Sequence, residues 1–202
     1  LSLPVDLTLA FWLKTTASGA SATDWPDGLR VLEAGMNTSA LMGVSLAAGH
    51  LLFGAGASGS TIASTAPVND GEWHHVAVAR EAASGWCFLY LDGELQGTAL
   101  GPQIDLAGIN RVVLGNTLAA DNTFTGRIDQ CMLFSGVLNA DAVASLHARP
   151  VDQDGDGARD HLEQVAATDW LSAGSRFAVD AFEQDAGTGE MLISLDGRAT
   201  RS

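Results

Sequence analysis

Up to about residue 148 this chain is cut into short stretches of alternating apolar and polar side chains, separated by glycine, proline, aspartate and asparagine. A period of two puts every second side chain on one face of an extended strand, and this constrains the fold more than any other feature. Leu7 to Lys14 alternates in this way, with Leu7, Leu9, Phe11 and Leu13 on one face. Arg30 to Ala34 is a short strand, and Leu41 to Leu46 forms a hairpin with His50 to Phe53 around Ala47-Ala48-Gly49. Trp73 to Arg80 is the next strand. After a break at Ala82 to Gly85 a further strand begins at Trp86 and passes through a tight Asp92-Gly93 turn into its partner. Arg111 to Gly115 and Gly126 to Phe134 complete the set. Ser18 to Gly28 and Leu118 to Thr125 read as polar surface loops, and Gly54 to Ser60, made only of Gly, Ala and Ser, as a turn or mobile loop. Asn139 is placed to cap a short helix over Ala140 to Ala148, which Arg149-Pro150 ends.

Composition agrees with many short strands. Charged residues make up 17% of the 202 positions and glycine supplies 23 of them. Net charge is −14, and half of it falls in residues 151–202, where 11 acids face 4 bases. Nucleic acid and anionic membrane are poor partners for such a surface, so neither nucleic-acid binding nor membrane insertion is expected. No apolar run is long enough to span a bilayer and no signal peptide is present. The chain reads as a fragment or processed product, so the lack of a signal does not point to the cytoplasm. Cys87 and Cys131 are too few for a disulfide framework, and leave two buried free thiols or one disulfide as open readings.

The charge in the last quarter has a specific arrangement. Counted from Asp152, side-chain oxygens stand at positions one, three, five, nine and twelve: Asp152, Asp154, Asp156, Asp160 and Glu163. Gly157 falls at six, where a sharp turn is needed, and the backbone carbonyl of Ala158 at seven. This is the ligand plan of an EF-hand calcium loop. Five closely spaced carboxylates repel one another unless a cation holds them, and an acidic linker has no reason to put glycine at six and glutamate at twelve. Calcium is therefore the expected cofactor. Beyond it, Arg176 to Phe182 and Glu190 to Leu195 read as two strands, a hairpin too small to be stable alone.

Several stretches resemble a known family. Trp73-His74-His75-Val76-Ala77-Val78, Leu89-Tyr90-Leu91-Asp92-Gly93-Glu94, and Gly126-Arg127-Ile128-Asp129 followed by Leu138-Asn139-Ala140 are similar to the laminin-G-like, concanavalin A-like domains of bacterial secreted proteins. Pentraxins are more distant relatives. The resemblance spans residues 5 to 148 and implies an all-β fold, a jelly-roll sandwich of two antiparallel sheets, which the strand count independently allows. Residues 152 to 169 resemble thrombospondin type 3-like and dockerin-like calcium repeats. A dockerin needs two copies, and one is present. The expected organisation is a β-sandwich over 1–150, a calcium-binding linker repeat over 151–170, and over 171–202 the start of a further domain.

Jelly rolls also host glycosidases, whose retaining members need two carboxyls about 5 Å apart. In one sandwich glycosidase family these lie on a strand as Glu-x-Asp-x-x-Glu. The nearest match is Arg127 to Met132, where arginine and methionine stand in place of the two glutamates. Nucleophile and acid are lost together, so no enzyme activity is expected. His74 and His75, as strand neighbours, point to opposite faces and cannot share a site, and Glu72 alone is expected on the His74 face; structural roles fit both better. Asp129, with Asp121 and Asn122 in the preceding loop, is a candidate ligand or calcium site by resemblance to pentraxins. The competing reading has Asp129 hydrogen-bonding a neighbouring loop. Trp25, in the polar loop Asp24-Trp25-Pro26-Asp27, is the best candidate sugar platform. At least three of the five tryptophans, Trp12, Trp25, Trp73, Trp86 and Trp170, are expected in the core.

Together these features predict a secreted or cell-surface binding or adhesion module. Its expected partners are a glycan or surface protein and neighbouring domains of a larger chain, with calcium stiffening the junction. An architectural spacer or assembly subunit of an adhesin, stalk or filament is the rival reading, and an accessory module of a polysaccharide-degrading enzyme a third.

Overall fold

The computed structural model describes residues 6–36, 39–56, 60–102, 111–117, 123–148, 182–184 and 191–193. Its strands are β1 (Leu7–Lys14), β2 (Leu29–Met36), β3 (Ser39–Ala47), β4 (His50–Ala55), β5 (Ile62–Pro67), β6 (Trp73–Arg80), β7 (Trp86–Leu91), β8 (Glu94–Leu100), β9 (Arg111–Leu114) and β10 (Arg127–Ser135). They form two five-stranded antiparallel sheets in the orders β10-β1-β6-β7-β8 and β5-β4-β3-β2-β9, a sandwich consistent with a jelly roll. The helix α1 (Ala140–Ala148) follows β10 over the span the sequence predicts, and the Asn139 side chain caps it by accepting a 2.9 Å hydrogen bond from the Ala142 N–H.

The alternation of the sequence becomes the two faces of each strand. Leu7, Leu9, Phe11 and Leu13 of β1 are buried between the sheets with Val76 and Val78 of β6 and Leu89 and Leu91 of β7. Across the gap stand Met42, Val44 and Leu46 of β3 and Leu51 and Phe53 of β4. The first sheet has a second buried face, because α1 lays Val143 and Leu146 on Ala10, Ala77 and Tyr90. This explains why Ala10 and Ala77 are as dry as the core residues beside them. Two hairpins turn tightly. Ala48 and Gly49 have φ of 50° and 87°, and Asp92 and Gly93 have 51° and 83°, the left-handed pair that matches the twist of the flanking strands.

Three expectations change. The strand β5 is additional to those expected, since Ile62 to Pro67 carries only one large apolar side chain. Gly54 lies within β4 rather than in a loop. Cys87 and Cys131 are both free, but only Cys87 is buried and Cys131 is exposed, which removes both the disulfide and the pair of buried thiols. The C-terminal hairpin pairs β11 (Phe182–Gln184) with β12 (Met191–Ile193), in register Phe182↔Ile193 and Gln184↔Met191. Phe182 belongs to the expected first strand and Met191–Ile193 to the expected second, while residues 176–181, 190, 194 and 195 of those two expected strands lie outside the described residues.

Candidate functional site

The expected platform, Trp25, is not on the surface. It is 1% exposed, lying on the outer face of the second sheet with Ala47, Leu52 and Ala22. Two glycines make its seat. A Cβ added at Gly43 would stand 2.5 Å from Trp25 Cζ3, and one at Gly54 would stand 2.4 Å from Trp25 Cδ1. Its indole N–H donates to the Gly56 carbonyl at 2.9 Å, while the Trp25 carbonyl accepts from the Arg30 guanidinium and the Ser45 hydroxyl. Arg30 is itself buried, paired with Glu33 at 3.1 Å and standing 4.9 Å over the Trp25 ring. Every polar atom of that indole and carbonyl is engaged, so the residue closes the face instead of presenting it. At least three of the five tryptophans are expected in the core; Trp170 lies outside the described residues, and of the four described one is there in full. Only Trp25 is fully buried; Trp12 is half-buried, and Trp73 and Trp86 are 39% and 42% exposed.

The opposite side of the sandwich carries an open arrangement. Register fixes it: Trp12 is opposite His75 on one side and Asp129 on the other, and Lys14 is opposite Trp73 on one side and Arg127 on the other. These residues share the outer face of the first sheet because Leu13 and Ile128, their alternates, point into the core. A bulge in the β1–β10 pairing, where Gln130 takes φ 50°, brings Asp129 and Arg127 onto this face as well as Met132. The result is two adjacent rows, His75–Trp12–Asp129 and Trp73–Lys14–Arg127. The first row runs under the end of α1, where His147 lies 5.8 Å from the Trp12 ring and 5.9 Å from His75. The second lies beyond the helix, with Trp73 and Arg127 exposed and Lys14 half-buried.

Asp129 therefore lies on the face with the exposed indole. Among the described residues its carboxylate accepts a hydrogen bond from the next residue, the Gln130 N–H at 2.8 Å, at the bulge. Asp121 and Asn122 lie outside the described residues, as do the residues expected to form a calcium loop, Asp152, Asp154, Asp156, Ala158, Asp160 and Glu163.

His74 and His75 do face opposite ways, but His74 has more acid around it than the sequence suggests. Its Nδ1 is 2.8 Å from Asp92 and its Nε2 is 3.2 Å from Asp70, where only Glu72 is expected on its face. The other Asp92 oxygen accepts the His75 N–H at 2.8 Å, so one carboxylate fastens the β7–β8 turn to β6. Burial by itself lowers the His74 pKa, but the Asp92 and Asp70 carboxylates outweigh it and hold the imidazole above its ordinary value. The signal for this contact is the Asp-Gly turn itself, whose aspartate side chain is free to reach the neighbouring strand. No cluster of three or more potential metal ligands occurs among the described residues. No helix among them is long and apolar enough to cross a membrane.

Comparison with known proteins bears on the scaffold. A rat protein, the sushi, von Willebrand factor type A, EGF and pentraxin domain-containing protein 1, is 35% identical over 88 residues, which is 39% of this chain and 2% of that protein. The heptameric SAP-like pentraxin of Limulus polyphemus superposes over 73% of this chain and 72% of its own with a TM-score of 0.53 at 15% identity. The CBM40 of the Ruminococcus gnavus IT-sialidase, solved bound to alpha2,3 sialyllactose, superposes over 73% of this chain and 84% of its own, with a TM-score of 0.57 at 21% identity. At these identities the structural likeness establishes the fold. Residues 1–144 match the sequence family of laminin-G-type domains throughout, and the chain belongs to the concanavalin A-like lectin/glucanases superfamily.

Proposed function

We propose that this chain is a non-catalytic binding module of a secreted or cell-surface protein, holding a glycan on the Trp73 face of its first sheet. The observation that carries the reading is an indole 39% exposed on a central strand, with Lys14, Arg127 and Asp129 on the same face. A sugar ring presents an apolar face to an indole and its hydroxyls to charged side chains at the rim, which is the chemistry these residues offer. The strand holds them in place without needing a mobile loop. The similarity to a sialidase CBM40 and to a pentraxin supports binding as a use of this scaffold.

Arg127 and Met132 speak against hydrolysis at the strand where a sandwich glycosidase would keep its acids. Arg127 is basic, and Met132 is packed under α1 with Val143 and Leu146. Asp129 is left as a single carboxylate on that strand, whereas hydrolysis needs a pair. The test is affinity electrophoresis of the chain through a panel of polysaccharides. Retention that disappears in Trp73→Ala, with the melting curve unchanged, is the expected result; equal mobility in every gel removes the proposal.

The reading includes a joint. The residues of the 152–163 loop supply an oxygen set suited to calcium, and calcium there would stiffen the passage from the sandwich into the C-terminal segment. One observation favours the architectural alternative: the edge strand β8 exposes Leu95 and Leu100 by 49% and 60%, next to Trp86. An assembly subunit would show concentration-dependent self-association in light scattering, abolished by Leu100→Glu, whereas a solitary binding module stays monomeric.

A further inference from the structure

We infer that the ligand of the Trp73 face is an acidic polysaccharide, one whose sugars carry carboxylates, and that Lys14 and Arg127 select it; the inference rests on the saccharide reading above. It starts from where the positive charge of this chain is spent. Five basic residues lie among those described: Lys14, Arg30, Arg80, Arg111 and Arg127. Arg30 is buried and paired with Glu33. Arg80 is buried and donates to the Pro102 carbonyl at 3.1 Å. Arg111 lies on the other sheet and is engaged there. Lys14 and Arg127 alone make no ion pair and no side-chain hydrogen bond among the described residues.

These two are also direct cross-strand partners. Side chains so placed have Cβ atoms about 5 Å apart, and like charges in that relation are destabilising. The chain has 24 acids to 10 bases, so an acidic partner for either cation would be easy to supply. Asp129, the acid that β10 places on this face, is diagonal to Lys14 in the register and forms no ion pair with it. Among the described residues two cations thus face each other without an acidic partner, beside an exposed indole on the other flank of Lys14. Stability does not ask for that arrangement; a carboxylate brought from outside relieves it.

The chemistry of the pair is specific. The planar guanidinium of Arg127 accommodates a carboxylate through two parallel N–H bonds, and the Lys14 ammonium adds a point charge. The row Trp73–Lys14–Arg127 covers two strand spacings, about 10 Å, so one ring can stack on the indole while the acid of the next reaches the cations. Asp129 then faces sugar hydroxyls. The overall negative charge opposes a polyanion at a distance, and screening over about 8 Å at physiological ionic strength confines that opposition, leaving selection to contact.

The experiment uses the full chain in affinity gels containing polygalacturonate, its fully methyl-esterified form, or poly-glutamate. Retention by polygalacturonate at least about tenfold stronger than by the other two is expected, and the double variant Lys14→Gln/Arg127→Gln should lose that preference while its melting curve stays in place. Trp73→Ala should lose retention in both pectin gels. Equal retention of acid and ester, or a preference that survives the double variant, overturns acidic selection and leaves the saccharide reading standing. Equal retention by poly-glutamate shows that charge alone is read, and overturns the inference. No retention by either pectin overturns the inference, while the saccharide reading falls only if the wider panel of polysaccharides also fails to retain the chain.

Discussion

The Trp25 side chain and its two glycines show how much one residue can settle. Gly43 and Gly54 sit in adjacent strands, paired across the β3–β4 ladder, and together they leave a flat seat for an indole on a face that would otherwise be wet. Gly43→Ala would push a methyl within 2.7 Å of the Leu32 carbonyl as well as into the ring, so the strand itself must give. Trp25→Ala removes a buried aromatic and leaves Arg30 and Ser45 without the packing that covers them. It should cost about 3–5 kcal/mol, read from urea unfolding. Gly43→Ala should destabilise too, and a neutral result would show that the ring is not seated there. His74 makes a prediction of a different kind. Its pKa is raised in the folded protein, so its stabilisation is complete below the ordinary value of 6.5 and is lost as pH rises through the raised value. Asp70 has the opposite sense. The Glu72 N–H and then His74 lower its pKa, so its contribution is present above 3.8 and disappears as pH falls through the lowered value. At pH 6, between those two limits, His74→Asn should lower Tm by roughly 2–4 °C, and by less at pH 8.5. A gap that does not change with pH would mean the imidazolium contributes nothing.

Among the elements, α1 decides what the first sheet shows to solvent. A nine-residue helix is too short to persist alone, so its cap and its docking side chains must hold it. Asn139→Ala should cost about 1 kcal/mol through the lost cap, and Leu146→Ala about 2–5 kcal/mol through the cavity under the helix. If thermal melts show neither loss, the helix is not docked as described. The helix is legible in the sequence because every signal agrees: a capping asparagine, apolar residues at helical spacing, and Arg149-Pro150 after it. Strands β1, β6 and β7 and the Asp92-Gly93 turn are legible for the same reason, since alternation and turn chemistry coincide there. The segment β5 is not, because Ile62 and Ser64 fill its buried positions and serine carries no apolar signal. The site is harder still. Asp129 stands out from its strand, but Trp25 misleads because its polar neighbours mark a loop and nothing local reveals that Gly43 and Gly54 receive the ring. Conversely, Trp73 reads as part of a structural motif, and only the register of three strands sets it beside Lys14 and Arg127.

At the scale of the whole molecule the question is how the sandwich is joined to the C-terminal quarter of the chain. Its last described element before the acidic loop is α1, which ends at Ala148, four residues before Asp152. A helix anchored by Leu146 is a fixed point, so a cation that orders the loop would transmit its stiffness straight to the sandwich. Asp152, Asp154, Asp156, Asp160 and Glu163 are closely spaced in sequence, and without a cation their mutual repulsion would favour an open chain. Affinity for calcium should fall at about 10⁻⁴–10⁻³ M, the range of extracellular modules. At a hundredfold excess over Kd, binding to the folded form alone stabilises it by about 2.7 kcal/mol. Calcium should therefore slow proteolysis beyond Pro150 and raise the melting temperature, a chelator should reverse both, and Glu163→Gln should weaken the response without altering the calcium-free melt. Protection of the loop with no change in the melt would mean that the cation orders a linker independent of the sandwich. If a chelator changes neither cleavage nor melting, the carboxylates are an acidic spacer and the calcium joint is wrong.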